Sequence, residues 1–472
     1  MRVLLSNTAR PGQLQEFSPL NPPRVGLYTC GPTVYGPTHI GHIRTYVNND
    51  VLRRVLEYAG YDVRHVMNVT DVGHLTSDAD AGEDKLELAA RREARSPWEI
   101  ARQYEEHFFR TMAQVDVRRA HVVCRATEHV EDMIGLIRRL EERGFAYRTP
   151  VGIIFDTGRF PDYARFARLD LEGQQAGARV EVDPDRRHPS DFALWVTNQP
   201  AHIMKWPSPW GEGFPGWHIE CSAMSMRYLG ETLDLHTGGI DHIPVHHTNE
   251  IAQSEAATGR PFVRCWLHSA FLLVDGQKMS KSLGNLYTIE DVVARGFSPI
   301  ALRHLFLSSL YRKELNFTWE ALNAAQTGLE RLWLRCRELP APVGAPPLAE
   351  PLAAFEEAIG TDVNTARGLA ALRDAVRADA APARVAATVE VMDRVLGLQL
   401  GQAGERLREL DTLRVSARGR DHDRAAALVV ERERLRRERR FAEADALRAE
   451  IKALGFAVED TPQGPQLRPA TA

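Results

Sequence analysis

The chain has 472 residues, of which 44% are hydrophobic and 26% charged, and its formal net charge is −4 at pH 7. This length accommodates about three domains of ordinary size, and the composition is that of an ordinary globular protein. No uninterrupted apolar run is long enough to span a bilayer, so a membrane protein is not expected.

Cysteine usage and the N-terminus indicate the compartment. Five cysteines are too few for a disulfide framework and cannot all pair with one another, so reduced thiols are expected. Residues 1–6 have neither an extended apolar core nor a small-residue cleavage site, which predicts a cytoplasmic location. Because the net charge is slightly negative, a nucleic-acid partner would need local basic surface.

The N-terminal part of the chain follows a βαβ pattern. An apolar strand over 25–30 ends at Gly31-Pro32, apolar residues then recur at helical spacing from 47 to 59, and a second strand covers 63–69. A right-handed crossover places the first loop and Thr70-Asp71 at the carboxyl ends of parallel strands, where such sheets bind ligands. The pattern predicts an α/β fold with a Rossmann-type nucleotide-binding catalytic domain.

A second unit of this kind occurs downstream, with a strand over 232–236, Gly238-Gly239, a helix over 244–258 and a strand over 262–267. The stretch between the two units starts with a helix and becomes polar, which indicates an insertion. The catalytic domain is therefore predicted to be split, with its first half at 1–130, a connective insertion at 131–210 and its second half at 211–297.

Beyond residue 298 the pattern becomes helical. A helical bundle domain is predicted for 298–410, with a proline-rich loop or linker at 340–347. The last 62 residues, 411–472, are predicted to form a small C-terminal domain that contains one charged helix over about 423–454 and a short tail.

The loop between the first strand and the first helix carries the sequence GPTVYGPTHIGH at 31–42. A Gly/Pro loop that enters a helix N-terminus offers backbone N–H donors and the positive end of the helix dipole to phosphate. His39 and His42 could donate hydrogen bonds to phosphoryl oxygens, and Gly41 would let a nucleotide approach the backbone. Taken alone, this motif also fits an ordinary turn with surface histidines.

A second motif, KMSKS, occupies 278–282. The chain has six lysines among its 59 basic residues, and two of them, Lys278 and Lys281, stand three residues apart here. This placement suggests a site that needs a compact ammonium group rather than a planar guanidinium. Two ammonium groups on a loop can stabilise the charge that develops on pyrophosphate as it leaves.

These two motifs, in this order on a split sheet, are the signatures of class I aminoacyl-tRNA synthetases. Over nearly its whole length the chain resembles the cysteinyl-tRNA synthetase family in particular. The resemblance is carried by CGPTVY at 30–35, GWHIECSAM at 216–224, HHTNEIAQS at 246–254, the lysine loop, and FAEAD at 441–445.

The resemblance implies ATP-dependent activation of L-cysteine to cysteinyl-adenylate and transfer of the amino acid to the 3′ end of cysteine tRNA. It also implies Mg²⁺ with the ATP, anticodon binding by residues 411–472, and a monomer. The catalytic residues would be His39, His42, Lys278 and Lys281, and the ATP-binding residues these four together with Gly41 and Ser280.

The resemblance further implies one zinc ion per chain, held by Cys30, Cys221, His246 and Glu250, which are ligand types that zinc prefers. His246 and Glu250 are four residues apart and share a helix face, but the adjacent His247 can also face Glu250, so the spacing leaves the choice of histidine open. Zinc separates cysteine from serine by preferring a thiolate, so no editing domain is expected.

The same resemblance implies a pocket for cysteine lined by Gly31, Thr70, Trp217 and Asp241, with Asp241 facing the substrate's ammonium group. Two alternatives stay open. A ligase that activates cysteine and transfers it to an amino-sugar, as in mycothiol synthesis, would share the zinc site and both motifs but lack an RNA-reading C-terminal domain. A non-catalytic nucleotide-binding or regulatory protein is disfavoured by the intact lysines and histidines.

Overall fold

The computed structural model describes residues 1–73, 84–168, 185–200, 202–280, 283–461 and 464–470. Its strands are β1 (Leu4–Ser6), β2 (Leu14–Glu16), β3 (Arg24–Thr29), β4 (Asp62–Val69), β5 (Val122–Arg125), β6 (Ala146–Thr149), β7 (Gly152–Phe155), β8 (Phe192–Val196), β9 (Phe214–Pro215), β10 (Leu233–Gly239), β11 (Val263–Ser269), β12 (Leu272–Val274), β13 (Gln277–Lys278), β14 (Leu315–Phe317), β15 (Phe456–Thr461) and β16 (Gly464–Pro469).

Its helices are α1 (Ile40–Tyr58), α2 (Lys85–Glu93), α3 (Pro97–Gln114), α4 (Val130–Glu142), α5 (Trp217–Leu229), α6 (Thr248–Thr258), α7 (Ile289–Ala294), α8 (Pro299–Leu307), α9 (Trp319–Cys336), α10 (Ala349–Gly360), α11 (Thr365–Arg377), α12 (Pro382–Leu396), α13 (Ala403–Arg437) and α14 (Phe441–Ala453). Among the described residues, no helix is both long enough and apolar enough to cross a membrane.

A five-stranded parallel sheet in the order β11-β10-β3-β4-β5 forms the centre of the catalytic part. The predicted α/β fold is confirmed, and the strands of both βαβ units lie within one or two residues of their predicted starts. Gly238-Gly239, which follows the predicted strand at 232–236, forms the last two residues of β10, so the strand is longer than predicted. A side chain at Gly238 would come within 2.6 Å of the His247 ring, so this glycine is needed for close packing and not for a turn.

The stretch between the two βαβ units begins with α4, as predicted, but then forms an antiparallel sheet in the order β6-β7-β8-β9. The sequence therefore predicted the polar character of this stretch but not its sheet. Its strands are only two to five residues long, and β8 is buried along its whole length around Trp195. The strand β9 leads directly into Gly216 and α5, which positions α5 against the central sheet.

The C-terminal region differs from the single charged helix that the sequence predicts. α13 begins at Ala403 and continues through residues 411 and 423, so one helix joins the parts assigned to separate domains. It ends before Arg439, whose φ of 59° is left-handed, and α14 and the hairpin β15–β16 follow. A small core of Ala425, Val429, Ile451 and Val458 holds these elements together.

A buried ion pair fastens the first helix of the sheet domain to the helical region. Arg303 of α8 donates from Nη2 to Oδ2 of Asp50 in α1 at 2.7 Å, and both side chains are almost fully buried. The same guanidinium donates from Nε to the carbonyl oxygen of Leu396 at the end of α12. One arginine thus links α1, α8 and α12.

Candidate functional site

The histidine motif lies in the loop between β3 and α1 and continues into the first turn of α1. His39 is the residue before the first turn of α1, and its Nδ1 accepts a hydrogen bond from the backbone N–H of His42 at 3.3 Å. The two imidazole rings stack with centroids 3.5 Å apart. Burial lowers the pKa of His39 to about 4, although the charge of Asp241 opposes this shift. His39 is therefore a neutral hydrogen-bonding group near pH 7.

The lysine loop follows β13. The backbone N–H of Ser280 donates to Oδ1 of Asn285 at 2.8 Å, and Nδ2 of Asn285 donates to the carbonyl oxygen of Lys278 at 3.2 Å. The ammonium of Lys278 lies 4.4 Å from the centre of the Phe271 ring. Lys281, the second lysine that the sequence singles out, lies outside the described residues.

The structure brings the two motifs together. The backbone N–H of Ile40 donates to the carbonyl oxygen of Tyr287 at 2.8 Å, and His39 pairs with Thr288 in an antiparallel bridge. A Cβ atom at Gly41 would lie 3.0 Å from Sδ of Met279. Gly41 thus permits the close approach of the α1 N-terminus to the lysine loop.

Four ligand-type side chains meet beside this junction. Cys30, His246, His247 and Glu250 each offer one ligand atom, and these atoms lie within 4.8 Å of one another. His246 Nε2 is 3.0 Å from Glu250 Oε1, and Cys30 Sγ is 3.3 Å from His247 Nε2. Cys221, at the start of α5, borders the group through hydrogen bonds to Cys30 and His246. All five side chains are buried.

The local backbone explains why both histidines face this cluster. Residues Ile243–His247 form a π-helical turn that runs directly into α6. A π turn holds more residues than an α turn, and here His246 Nε2 and His247 Nε2 lie 3.0 and 3.9 Å from the same oxygen, Glu250 Oε1. The structure therefore keeps both histidines as candidate ligands, as the spacing does.

Three further histidines surround the cluster, and the sequence motifs do not single them out. His236 Nε2 lies 3.0 Å from Glu250 Oε2, His218 Nδ1 lies 3.0 Å from Nδ1 of His246, and His268 Nε2 lies 2.7 Å from Nδ1 of His247. These contacts orient the ligand-type groups, as outer partners do at metal sites. The sequence did contain a signal for these histidines, because six of the 17 histidines of the chain fall between residues 218 and 268.

The ionisable groups of the cluster shift one another's pKa values strongly. Burial opposes charge on His246, but Glu250 and Cys221 outweigh burial and raise the pKa of His246 to about 10. Burial likewise opposes charge on Glu250, yet His236 and His246 lower the pKa of this carboxyl to about 2. The hydrogen bond from Cys30 lowers the pKa of the Cys221 thiol to about 7. A carboxylate and an acidified thiol thus lie together in a buried space.

The residues expected to line a cysteine pocket surround the same point. The backbone N–H of Gly31 donates to Oδ1 of Asn68 at 2.7 Å, and the hydroxyl of Thr70 donates to Oε2 of Glu220 at 3.1 Å. Gly31 has no room for a side chain, because a Cβ atom there would fall 1.6 Å from the carbonyl oxygen of Asn68. Glu220 is fully buried and is a further group that the sequence motifs do not single out.

Trp217 and Asp241 complete this set. The Trp217 ring lies over His246 with centroids 4.4 Å apart, so it forms one wall beside the ligand-type cluster. Asp241 is exposed, and its carboxyl packs so closely on Gly239 that a Cβ atom there would lie 2.2 Å from Oδ1. The structure therefore brings all four predicted pocket residues near the carboxyl ends of β3, β4 and β10.

Comparisons with known proteins agree with this geometry. Residues 16–327 match the family model of the class I tRNA synthetase (C) catalytic domain, and residues 420–468 match that of the cysteinyl-tRNA ligase anticodon binding domain. The cysteine–tRNA ligase 1 of Burkholderia lata is 48% identical over 466 residues, which cover 98% of this chain and 95% of that protein. The cysteine–tRNA ligase of Thermus thermophilus is 44% identical over 469 residues, with 96% of each chain covered.

Solved structures show the same fold at low sequence identity. The LeuRS of Agrobacterium radiobacter, in a ternary complex, superposes with a TM-score of 0.57 and 14% identity and covers 85% of this chain and 87% of its own. A Mycobacterium tuberculosis methionyl-tRNA synthetase gives a TM-score of 0.53 with 16% identity, over 80% and 91% of the two chains. With two matching family models and full-length relatives at this identity, the chain belongs to the cysteine–tRNA ligases, a family of class I aminoacyl-tRNA synthetases.

Proposed function

We propose that this chain activates L-cysteine with ATP and transfers the amino acid to the 3′ end of cysteine tRNA, and that a zinc ion selects the substrate thiol. The single observation that carries the zinc part is the buried group of Cys30, His246, His247 and Glu250 beside Cys221. In the proposal the ligands are Cys30, Cys221, His246 and Glu250, and His247 orients them.

The chemistry of these donors supports zinc. Thiols, imidazole and carboxylate are the groups that zinc prefers, and four of them suffice for a tetrahedral site. Oε1 of Glu250 is buried and accepts no hydrogen bond from any described residue, although His246 Nε2 is only 3.0 Å away. A buried carboxylate oxygen without a hydrogen bond is costly unless a cation binds it.

The proposed selectivity follows from ligand chemistry. Shape alone separates cysteine from serine by only ~1–3 kcal/mol, because the two differ by one heavy atom. When bound, zinc favours a thiolate over a neutral hydroxyl and lowers the pKa of a coordinated thiol. Gly31, Thr70 and Trp217 would then enclose the rest of the amino acid, and Asp241 would attract its ammonium group.

The phosphate groups of ATP, with Mg²⁺, are assigned to the other side of the junction. The α1 N-terminus supplies backbone donors, and the neutral imidazoles of His39 and His42 add hydrogen bonds without a fixed charge. Gly41 leaves room for the nucleotide. Lys278, Ser280 and Lys281 are assigned to the pyrophosphate, where ammonium groups stabilise charge that increases in the transition state.

The tRNA is assigned to the C-terminal part of the chain. The match of 420–468 to an anticodon binding domain supports this role and disfavours a ligase that acts on an amino-sugar. The domain boundaries at 130, 210, 297 and 410, a cytoplasmic location and a monomeric state stay predictions. α13 would act as the rigid connection between the catalytic part and the anticodon.

Cysteine-dependent exchange of pyrophosphate into ATP, followed by charging of cysteine tRNA, tests the proposal. The purified chain should catalyse exchange with cysteine and not with serine, should charge the tRNA, and should contain one tightly bound zinc ion in the Cys30 cluster. Exchange without tRNA charging would favour the amino-sugar ligase. No exchange with cysteine would refute the proposed reaction.

A further inference from the structure

A second group of ligand-type side chains lies apart from the Cys30 cluster. Asp84 and Glu87 stand at the N-terminus of α2, and His202 lies in the chain before β9; each offers one ligand atom within 4.8 Å of the others. His202 Nε2 is 2.8 Å from Oδ2 of Asp84. The side chains of His202, Asp84 and Glu87 are 2%, 3% and 12% exposed.

Hydrogen bonds satisfy the polar atoms of this group only in part. Within the described part of the chain, Oδ2 of Asp84 and Nδ1 of His202 are buried and have no hydrogen-bond partner. His202 Nε2 forms a hydrogen bond of 3.3 Å with the carbonyl oxygen of Gly73, and its Nδ1 is 3.9 Å from Glu87 Oε1. The Cys30 cluster has the same feature, because Oε1 of Glu250 lies beside a histidine nitrogen without a hydrogen bond from the described residues.

The distances suit ligands of one cation. A first-row divalent ion binds nitrogen and oxygen at about 2.1 Å, so two ligands at right angles lie about 3.0 Å apart and ligands at a tetrahedral angle about 3.4 Å apart. Around His202 Nε2, Asp84 Oδ2 at 2.8 Å and the Gly73 oxygen at 3.3 Å are close to these separations. A cation bound at Nε2 would lie near Asp84 Oδ2 and the Gly73 oxygen. The ligand atom of Glu87, within 4.8 Å of those of Asp84 and His202, would have to move toward the ion, because Glu87 Oε1 lies 3.9 Å from the other ring nitrogen, Nδ1.

The carboxylates are held in place by the backbone. Oδ1 of Asp84 accepts hydrogen bonds from the N–H groups of Leu86 and Glu87 at 2.6 and 2.9 Å, which leaves Oδ2 to face His202. Oε1 of Glu87 accepts from the N–H of Ile203 at 2.6 Å. These contacts fix the orientation of both carboxylates before any ligand binds.

The two carboxylates also give the group a net negative charge that a bound cation would balance. Among the residues that the structure describes, neither Asp84 nor Glu87 forms an ion pair with lysine or arginine, and the basic group within 4 Å of both carboxylates is the imidazole of His202. An imidazole carries at most one positive charge, so two carboxylates with His202 keep a net negative charge. Burying such a charge is unfavourable unless a cation balances it.

We propose that Asp84, Glu87 and His202 form a second divalent metal site, with the carbonyl oxygen of Gly73 as a further ligand. Two carboxylates, an imidazole and a carbonyl oxygen, without a thiolate, suit a first-row divalent ion such as Mn²⁺ or Zn²⁺. This proposal does not depend on the zinc site at Cys30.

The site has a structural role. It fastens Gly73, three residues after Thr70, to the chain that carries His202. The His202 ring stacks on Phe214 of β9 with centroids 3.9 Å apart, and β9 leads into Gly216 and α5. A bound ion therefore braces the two chain segments that present Thr70 and Trp217.

Titration of the full-length, chelator-treated protein with Co²⁺ tests the proposal, because cobalt bound to thiolate gives a strong charge-transfer absorption and cobalt bound to oxygen and nitrogen does not. We expect two cobalt ions per chain, one with the thiolate absorption and one without it. Glu87→Gln keeps an acceptor for Ile203 but removes the anionic ligand. Since loss of an outer partner alone weakens metal binding about 10- to 100-fold, we expect about a hundredfold weaker binding of the second ion.

Two further variants complete the test. His202→Asn should also lose the second ion while the thiolate absorption is unchanged, and Glu93→Gln, on the same helix but outside the group, should bind both ions. Binding of a single cobalt ion with thiolate absorption would overturn the second site. Two ions bound with undiminished affinity by both Glu87→Gln and His202→Asn would overturn it as well.

Discussion

The backbone N–H of Ile40 donates a hydrogen bond to the carbonyl oxygen of Tyr287 at 2.8 Å, and this contact joins the start of α1 to the chain that leaves the lysine loop. The antiparallel bridge between His39 and Thr288 lies beside it. The two motifs assigned to ATP are thus parts of one packed unit. A change in the packing of one motif should therefore alter the reaction at the other.

Gly41→Ala tests this relationship. The new methyl group would lie 3.0 Å from Met279 Sδ and 3.1 Å from His39 Nδ1, so the lysine loop or the imidazole must shift by a few tenths of an ångström. Misplaced catalytic groups lower rates steeply, and we expect single-turnover adenylate formation to fall about 10- to 100-fold. Gly36→Ala is the matched control, because a Cβ atom there would meet no described atom within 4 Å. Equal rates for both variants would contradict the packing argument.

Lys281→Ala should slow cysteinyl-adenylate formation far more than it weakens cysteine binding, because the ammonium is assigned to charge that appears in the transition state. Loss of one such donor costs ~3–4 kcal/mol, or a hundredfold or more in rate. Pre-steady-state measurement of the activation step checks this. Lys313→Ala, which alters an exposed lysine outside the loop, should be close to wild type, and an unchanged rate in Lys281→Ala would refute the role.

Arg303→Met should destabilise the fold, because it removes one of the two buried arginine partners of Asp50 and leaves the carbonyl oxygen of Leu396 without its donor. Removing one partner of a buried ion pair costs ~3–5 kcal/mol when the remaining charge is left unpaired, and because Arg54 still pairs with Asp50 at 2.8 Å we expect the low end of this range. The exposed pair Arg394–Glu390 provides the control, since Arg394→Met should cost under ~1 kcal/mol. Thermal unfolding of the two variants measures the difference. If the thermal unfolding midpoint of Arg303→Met were as high as that of Arg394→Met, Arg303 would not be the link between α1, α8 and α12.

The arginines near the end of α13 are not equivalent. Arg434 is paired with Glu431 and Glu438 at 2.6 and 2.8 Å, whereas Arg437 and Arg439 are exposed and carry no ion pair within the described part of the chain. If this region binds tRNA, Arg437→Ala and Arg439→Ala should weaken binding and reduce the logarithmic slope of its salt dependence by roughly 0.7 to 0.9 for each phosphate that is no longer neutralised. Arg434→Ala should have a smaller effect. Equal effects from all three would argue against a specific RNA contact.

Much of the central sheet could be predicted from sequence, because buried parallel strands are short apolar runs bounded by Gly/Pro turns. The strands of the insertion could not, since they are short and gain stability from each other and not from a local pattern. The break between α13 and α14 was also missed. Arg439 adopts a left-handed conformation there, and neither glycine nor proline marks the position.

The candidate site was predictable in its residue types but not in its exact partners. Spacing of four residues placed His246 near Glu250, but it could not reveal the π-helical turn that also brings His247 within 3.3 Å of Cys30. The carboxylates and imidazole of the proposed second metal site come from chain segments far apart in sequence. Only the packing of α2 against the chain before β9 brings them together.

The most direct test of the account compares Cys221→Ser with Cys265→Ser, which alters another buried cysteine in β11, outside the Cys30 cluster. Zinc content and the ratio of pyrophosphate exchange with cysteine to exchange with serine are measured on both variants. Cys221→Ser should lose most of the zinc of the Cys30 cluster, and its preference for cysteine should fall to the roughly 10- to 200-fold that shape alone supplies. Cys265→Ser should keep both properties. Full zinc content with unchanged selectivity in Cys221→Ser would contradict the account.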